Sequence, residues 1–212
     1  MMFTHGRERN MDETLRLFIA IELPPTVRAA LAAARVQLEK NGRLPVRWAN
    51  PEGAHLTLKF LGETPAEQVE PILAVLERAV GLHEPFSLHT AELGVFPRPQ
   101  APRVVWLGVD GEIAKLRALQ ADVERFVAPL GFPTEQRAFS PHLTLGRAEK
   151  SARTQDLAAI GKAVAGALPP ARVTWEVSQV ALMRSELLRE GARYTALRRL
   201  ALGAVRENNS SS

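Results

Sequence analysis

Two hydrophobic rhythms take turns along this chain. From Arg16 the run RLFIAIEL has the length and composition of a strand, and the Pro24-Pro25 that follows at once suits the first turn of a helix. In VRAALAAARVQLEK the apolar residues Val27, Leu31, Ala34 and Leu38 keep helical spacing. NGRLP breaks that pattern, and a loop rich in Pro and Gly leads through VRWANPEGA into a strand, HLTLKFLGE. A second helix is expected from about Pro65 to Val80, with Val69, Ile72, Leu73, Leu76 and Val80 on one face. PFSLHTAELGVF then reads as a strand, and PRPQAP as a loop.

The order then begins again. RVVWLGVD starts at Arg103, 87 residues after Arg16, and a helix with Ile113, Leu116, Leu119 and Val123 inward is expected from Glu112 to Val127. GFPTEQRAFSP enters a second HLTL strand, a helix is expected from Thr154 to Leu168, and RVTWEVSQVALM begins 87 residues after PFSLHTAELGVF. Five elements recurring in register point to an internal duplication. YTALRRLAL falls where a third copy of the first strand would begin, which predicts that the halves exchange an edge strand. Each strand–helix pair buries one face of a sheet. The predicted fold is therefore α+β, with two pseudo-symmetric lobes, each a mainly antiparallel sheet flanked by helices, around a central cleft. Residues 1–14 are expected to form a flexible leader, 15–202 a single bilobal domain and 203–212 a disordered tail.

Composition narrows the class of function. The 212 residues are 46% apolar and 24% charged, ordinary for a soluble globular protein with a sizeable core. No apolar run is long enough to span a bilayer and the start lacks the apolar stretch of a secretory signal, so the expected setting is the cytosol, without a membrane partner. Zero cysteines exclude disulfides and thiolate catalysis and remove the best zinc ligands. A net charge of +4, carried mostly by arginine, favours a polyanionic partner.

The chemistry lies in the repeated phrase, His55-Leu56-Thr57-Leu58 and His142-Leu143-Thr144-Leu145, whose histidines are 87 residues apart. Strand alternation puts His55 and Thr57 on one face and Leu56, Leu58 and Phe60 on the other; the second copy repeats this with His142 and Thr144 against Leu143 and Leu145. In lobes related by a pseudo-twofold axis the two histidines stand on opposite walls of one cleft. Two imidazoles so placed can work as a base and an acid near neutral pH. In-line displacement at phosphorus needs that arrangement, one imidazole taking a proton from water while the other protonates the departing oxygen. The threonine hydroxyls can donate to non-bridging phosphate oxygens. This chemistry needs no metal or other cofactor, and neither HLTL phrase contains a carboxylate to complete a metal site.

These residues resemble the 2H phosphoesterase superfamily, and more closely the bacterial and archaeal RNA 2′,3′-cyclic phosphodiesterases, the 2′-5′ RNA ligase family. The resemblance covers nearly all of Arg16 to Leu202, through RLFIAIELP, HLTLKFLGE, LGVFPRP, PRVVWLGV, FSPHLTLGRA and VALMRSEL. It implies metal-independent hydrolysis of a 2′,3′-cyclic phosphate at an RNA or nucleotide end to a 2′-phosphomonoester, with reversible joining of tRNA-like halves as a secondary activity. It implies His55, Thr57, His142 and Thr144 as the catalytic set; His142 is assigned as the base for water and His55 as the acid for the 3′-oxygen, although pseudo-symmetry makes the two roles interchangeable on sequence alone. Arg147 follows the second motif where similar proteins carry an arginine. Strict alternation puts it on the Leu143 face, so its use needs a bend at Gly146.

Lys59 shares the predicted His55 face and is a weaker phosphate candidate, while Trp48, Phe96 and Phe139 are candidates for stacking on a base, with core packing the competing role. His5, His83 and His89 have no partner at the 87-residue offset and read as incidental. Two lobes closing one site need no obligatory protein partner. A module that binds cyclic-phosphate RNA without turning it over and a metal-dependent phosphatase are the alternatives.

Overall fold

A computed structural model describes residues 13–188 and 191–203; residues 1–12 and 204–212, most of the expected leader and tail, lie outside it. Thirteen elements follow in the order β1 (Thr14–Glu22), α1 (Pro25–Leu38), β2 (Val46–Trp48), β3 (His55–Pro65), α2 (Val69–Val80), β4 (Phe86–Phe96), β5 (Val104–Gly111), α3 (Ile113–Val127), β6 (His142–Ala148), α4 (Thr154–Ala165), β7 (Thr174–Val177), β8 (Gln179–Leu188) and β9 (Gly191–Ala201). The strands form a four-stranded sheet, β3-β1-β8-β9, and a five-stranded sheet, β2-β6-β5-β4-β7. Every pairing is antiparallel. The predicted class, two largely antiparallel sheets flanked by helices, is the one found.

The exchange between halves goes deeper than an edge strand. β4, from the first half, pairs with β5, and β8, from the second, pairs with β1, each inside the other half's sheet. β9 is not a third copy of β1. It hairpins with β8, and the segment RVTWEVSQVALM is two strands rather than one, since the chain leaves the five-stranded sheet at Val177 and enters the four-stranded one at Gln179. The repeat also slips by one residue. Thr57 and Thr144 are 87 apart, but their cross-strand partners Ala20 and Trp106 are 86 apart.

The helices form where apolar residues recur at helical spacing. Val27, Leu31, Ala34 and Leu38 of α1, Ile72, Leu73 and Leu76 of α2, and Leu116, Leu119 and Val123 of α3 are all buried. α2 packs against β8 and β9, α3 against β3 and α4 against β4. Together with the backs of both sheets they make one continuous core. A smaller cluster, Phe18, Ala20, Ala181 and Met183, fills the opposite face of the four-stranded sheet, so β1 is buried on both sides.

Alternation fails at one matching place in the two motif strands, and β3 has a second bulge further along, at Leu61. Opposite Ile19 and Ala20 of β1 stand Lys59 and Thr57, leaving Leu58 as an extra residue; opposite Val105 and Trp106 of β5 stand Gly146 and Thr144, leaving Leu145 extra. Such a bulge reverses the faces of the residues that follow until the next irregularity. Phe60, expected on the oily back, is therefore turned to the His55 face and is 69% exposed. Lys59, expected beside His55, is buried on the helix side, where its ammonium donates to Glu124 Oε2 at 2.7 Å and to the Pro133 carbonyl at 2.6 Å. Glu124 also accepts from the Glu135 amide and the Gln120 side chain. The pair ties β3 to α3 and to the chain that leads into β6.

Removing one member of a buried ion pair strands the other. Lys59→Met should lower stability by about 3–5 kcal/mol in urea unfolding, and the double variant Lys59→Met/Glu124→Leu should recover much of that loss.

Candidate active site

The two motif strands meet at the seam between the sheets. β3 is an edge strand of the four-stranded sheet and contacts β6 directly. β2 pairs only with Gly146, Arg147 and Ala148 of β6, so the His142 end has no strand of its own sheet on that side. Ala54, immediately before His55, and Thr144 line the same small cavity. The structure thus brings the two HLTL phrases together.

Both imidazoles are held the same way. His55 Nδ1 lies 2.9 Å from the Gly53 carbonyl, and His142 Nδ1 lies 2.8 Å from the Ser140 carbonyl, each two residues upstream. A carbonyl can only accept, so Nδ1 carries a hydrogen in both rings and Nε2 is left to give or take a proton. Each motif thus supplies its own orienting acceptor from the loop before the strand. Burial holds His55 below the ordinary imidazole range, the bond to Gly53 offsetting part of that shift. Among the described residues the hydroxyls of Thr57 and Thr144 make no hydrogen bond to protein, which leaves both for an oxyanion.

The rings differ in their surroundings. His55 stacks at 4.6 Å on Phe18 and meets the edge of Tyr194 at 4.9 Å, with Phe60 next along at 6.2 Å from Phe18. Glu22 lies in register with His55, its carboxylate engaged at two points by Arg199 of β9. His142 meets Phe96 edge-on at 5.0 Å, and Phe96 packs on Trp106 at 5.1 Å. Gly108 stands where the other half has Glu22, and the Trp106 ring lies over Gly94 so closely that it leaves no room for a Cβ.

Of the other candidates, Arg147 reaches the histidine face. The bend comes from the bulge at Leu145-Gly146, which puts Arg147 on the same side as His142 and Thr144 and leaves it exposed. Phe96 stands beside His142. Trp48 does not share that face. It pairs with Gly146 on the helix side, under the Arg35 guanidinium 5.7 Å away, and Phe139 packs on the core. Bulged registers explain the placing of Arg147 and Trp48, since they move residues between faces without changing sequence spacing. His83 bonds Asp122 of α3 at 2.9 Å, His89 bonds the Thr90 carbonyl, and His5 lies outside the described residues.

Sequence reasoning missed Phe18, Phe60 and Tyr194 on the His55 wall. Tyr194 is the chain's one tyrosine, and its segment reads only as a strand. Among the described residues no three His, Asp or Glu side chains converge in a way that could hold a metal ion, and no helix is long and apolar enough to cross a membrane.

Known proteins share this architecture and sequence. The family model described as 2′-5′ RNA ligase superfamily matches residues 23–188. A protein named RNA 2′,3′-cyclic phosphodiesterase from Aeropyrum pernix is 37% identical over 173 residues, covering 79% of this chain and 92% of that one. One of the same name from Thermus thermophilus is 35% identical over 196 residues, 89% of this chain and 90% of that one. Among solved structures, TT0787 of Thermus thermophilus superposes with a TM-score of 0.74 at 32% identity, over 89% of this chain and 98% of that one. E. coli LigT complexed with 3′-AMP gives 0.72 at 30% identity, over 90% and 99%. With a family model reaching across most of the chain and such relatives matched along nearly their whole length, the chain belongs to the 2′-5′ RNA ligase superfamily.

Proposed function

We propose that this protein hydrolyses the 2′,3′-cyclic phosphate at an RNA or nucleotide end to a 2′-phosphomonoester, using the two histidines and no metal. The observation that carries the reading is the twin Nδ1–H bond to Gly53 and Ser140, which leaves two Nε2 atoms for proton transfer on strands that meet. Curated relatives carrying the name RNA 2′,3′-cyclic phosphodiesterase support the substrate class.

His142 Nε2 takes a proton from water as its oxygen attacks phosphorus. The bond from phosphorus to the 3′-oxygen breaks, and His55 Nε2 delivers the proton to that oxygen, so the phosphate stays on the 2′-oxygen. Thr57 and Thr144 donate to the non-bridging oxygens, where charge builds in the transition state. Arg147 adds positive charge on the same wall, and Phe96 offers a ring for a base. The same steps with the 5′-hydroxyl of a second strand in place of water account for a reversible joining activity on tRNA halves. The setting we assign is the cytosol, which suits a chain without cysteine.

His55→Ala and His142→Ala should each lower kcat by about 10²–10⁴-fold on a nucleoside 2′,3′-cyclic phosphate in EDTA, with circular dichroism unchanged. Replacing the bridging 3′-oxygen by sulfur gives a leaving group that needs no proton. That substrate should restore His55→Ala and not His142→Ala. Restoration of His142→Ala alone would reverse the roles, and retention of the RNA without turnover by the wild-type protein would favour a binding module.

In the free protein burial favours neutral His55, whereas a bound phosphate monoanion beside it favours the imidazolium. Its ring resonances should titrate below about 6.5 when free and move upward with a nucleoside 2′-phosphate bound, as read by NMR. Because the unfolded chain holds this proton more tightly, His55 should make the fold less stable as pH falls through about 6.5.

A further inference from the structure

Beyond the bulge, β6 presents His142, Thr144 and Arg147 as successive residues on the histidine face, each one ladder step of ~7 Å from the last. Arg147 stands in register with Arg47 of the edge strand β2, both side chains exposed on that face. Like charges directly opposite one another across strands destabilise a sheet. Among the described residues neither guanidinium has an ion pair or hydrogen bond. Their neighbours are engaged: Arg43 with Glu149 at 3.7 Å, and Arg35 with Glu39 at 3.3 Å.

The juxtaposition is built into the backbone. A Cβ on Gly146 would lie 2.6 Å from Val46 Cγ1 and 3.0 Å from the Arg47 carbonyl, so only glycine lets β2 close on β6 and bring Arg47 beside Arg147. Two unpaired arginines in register on one exposed face offer a fork that can close on one anion, and the guanidinium plane matches phosphate geometry. The phosphate at which the histidines act lies by Thr57 and Thr144. The fork is one step further along the wall, a separation of the order of that between adjacent phosphates on a single strand.

Resting on the function proposed above, we infer that Arg47 and Arg147 together hold the phosphodiester preceding the cyclic phosphate. The preferred substrate is then the end of an oligoribonucleotide rather than a mononucleotide. Arg47 touches no reacting atom; it positions the chain.

The test compares three substrates: adenosine 2′,3′-cyclic phosphate, the dinucleotide ApA ending in the same cyclic phosphate, and that dinucleotide with a neutral methylphosphonate linkage. Wild-type kcat/KM should be about tenfold higher for the charged dinucleotide than for the other two. Arg47→Met should erase most of that preference, and the salt dependence of log kcat/KM for the charged dinucleotide should fall by a slope of about 0.7. Arg47→Lys should keep part of both. Equal wild-type rates on all three substrates, or an Arg47→Met loss by the same factor on all three, would overturn the inference while leaving the cyclic phosphodiesterase reading intact. No wild-type turnover of any of them would overturn that reading and the inference with it.

Discussion

One extra residue at a matching place in each motif strand decides which side chains can reach the cleft. Leu58 and Leu145 have no partner of their own on the neighbouring strand, and the residues that follow them change sides, in β3 as far as a second bulge at Leu61. Without the first bulge a lysine would stand near His55; with it, that ammonium is drawn into the core against Glu124 and an aromatic ring takes the front. Without the second, Arg147 would point at the helices. The histidines and threonines precede the bulges and keep plain alternation, so the candidate reactive groups sit on the most regular part of each strand. The irregularity is used to choose their neighbours.

The halves are related in backbone but not in chemistry. At matching places around the two histidines stand Phe60 and Arg147, Ala20 and Trp106, Ala181 and Gly94, Met183 and Phe96, Glu22 and Gly108. Packing is kept by exchange of volume, since the small pair Ala20 and Ala181 answers the pair of Trp106 over Gly94. One wall becomes aromatic, with Phe18, Phe60 and Tyr194, and the other becomes cationic beyond its histidine. A cleft with two unlike walls fixes the direction in which a polar, asymmetric chain can lie across it.

The sequence made much of this legible, because helical periodicity and a repeated tetrapeptide are local signals. The four buried positions of α1 follow from spacing alone, as does the pairing of His55 with His142. Three things were not legible. A bulge leaves no mark in the order of residues, so the sides of Phe60, Lys59 and Arg147 depended on register against β1 and β5. The depth of the strand exchange is a matter of topology, and the change of sheet at Ser178 happens inside what reads as one continuous strand. Tyr194 reaches His55 only because β9 folds back along β8, which no spacing from the motif could announce.

The interleaving of β4 and β8 makes each half depend on the other. A lone half would leave its own first strand without the neighbour that shields it, and would carry a last strand with no sheet to join. Two identical copies could satisfy each other only by trading those strands about a twofold axis. Such a pair would carry a symmetric cleft, whereas both halves on one chain leave the two walls free to differ. With both walls on one chain, Arg147 stands on one side and Phe60 at the matching place on the other, without either appearing twice.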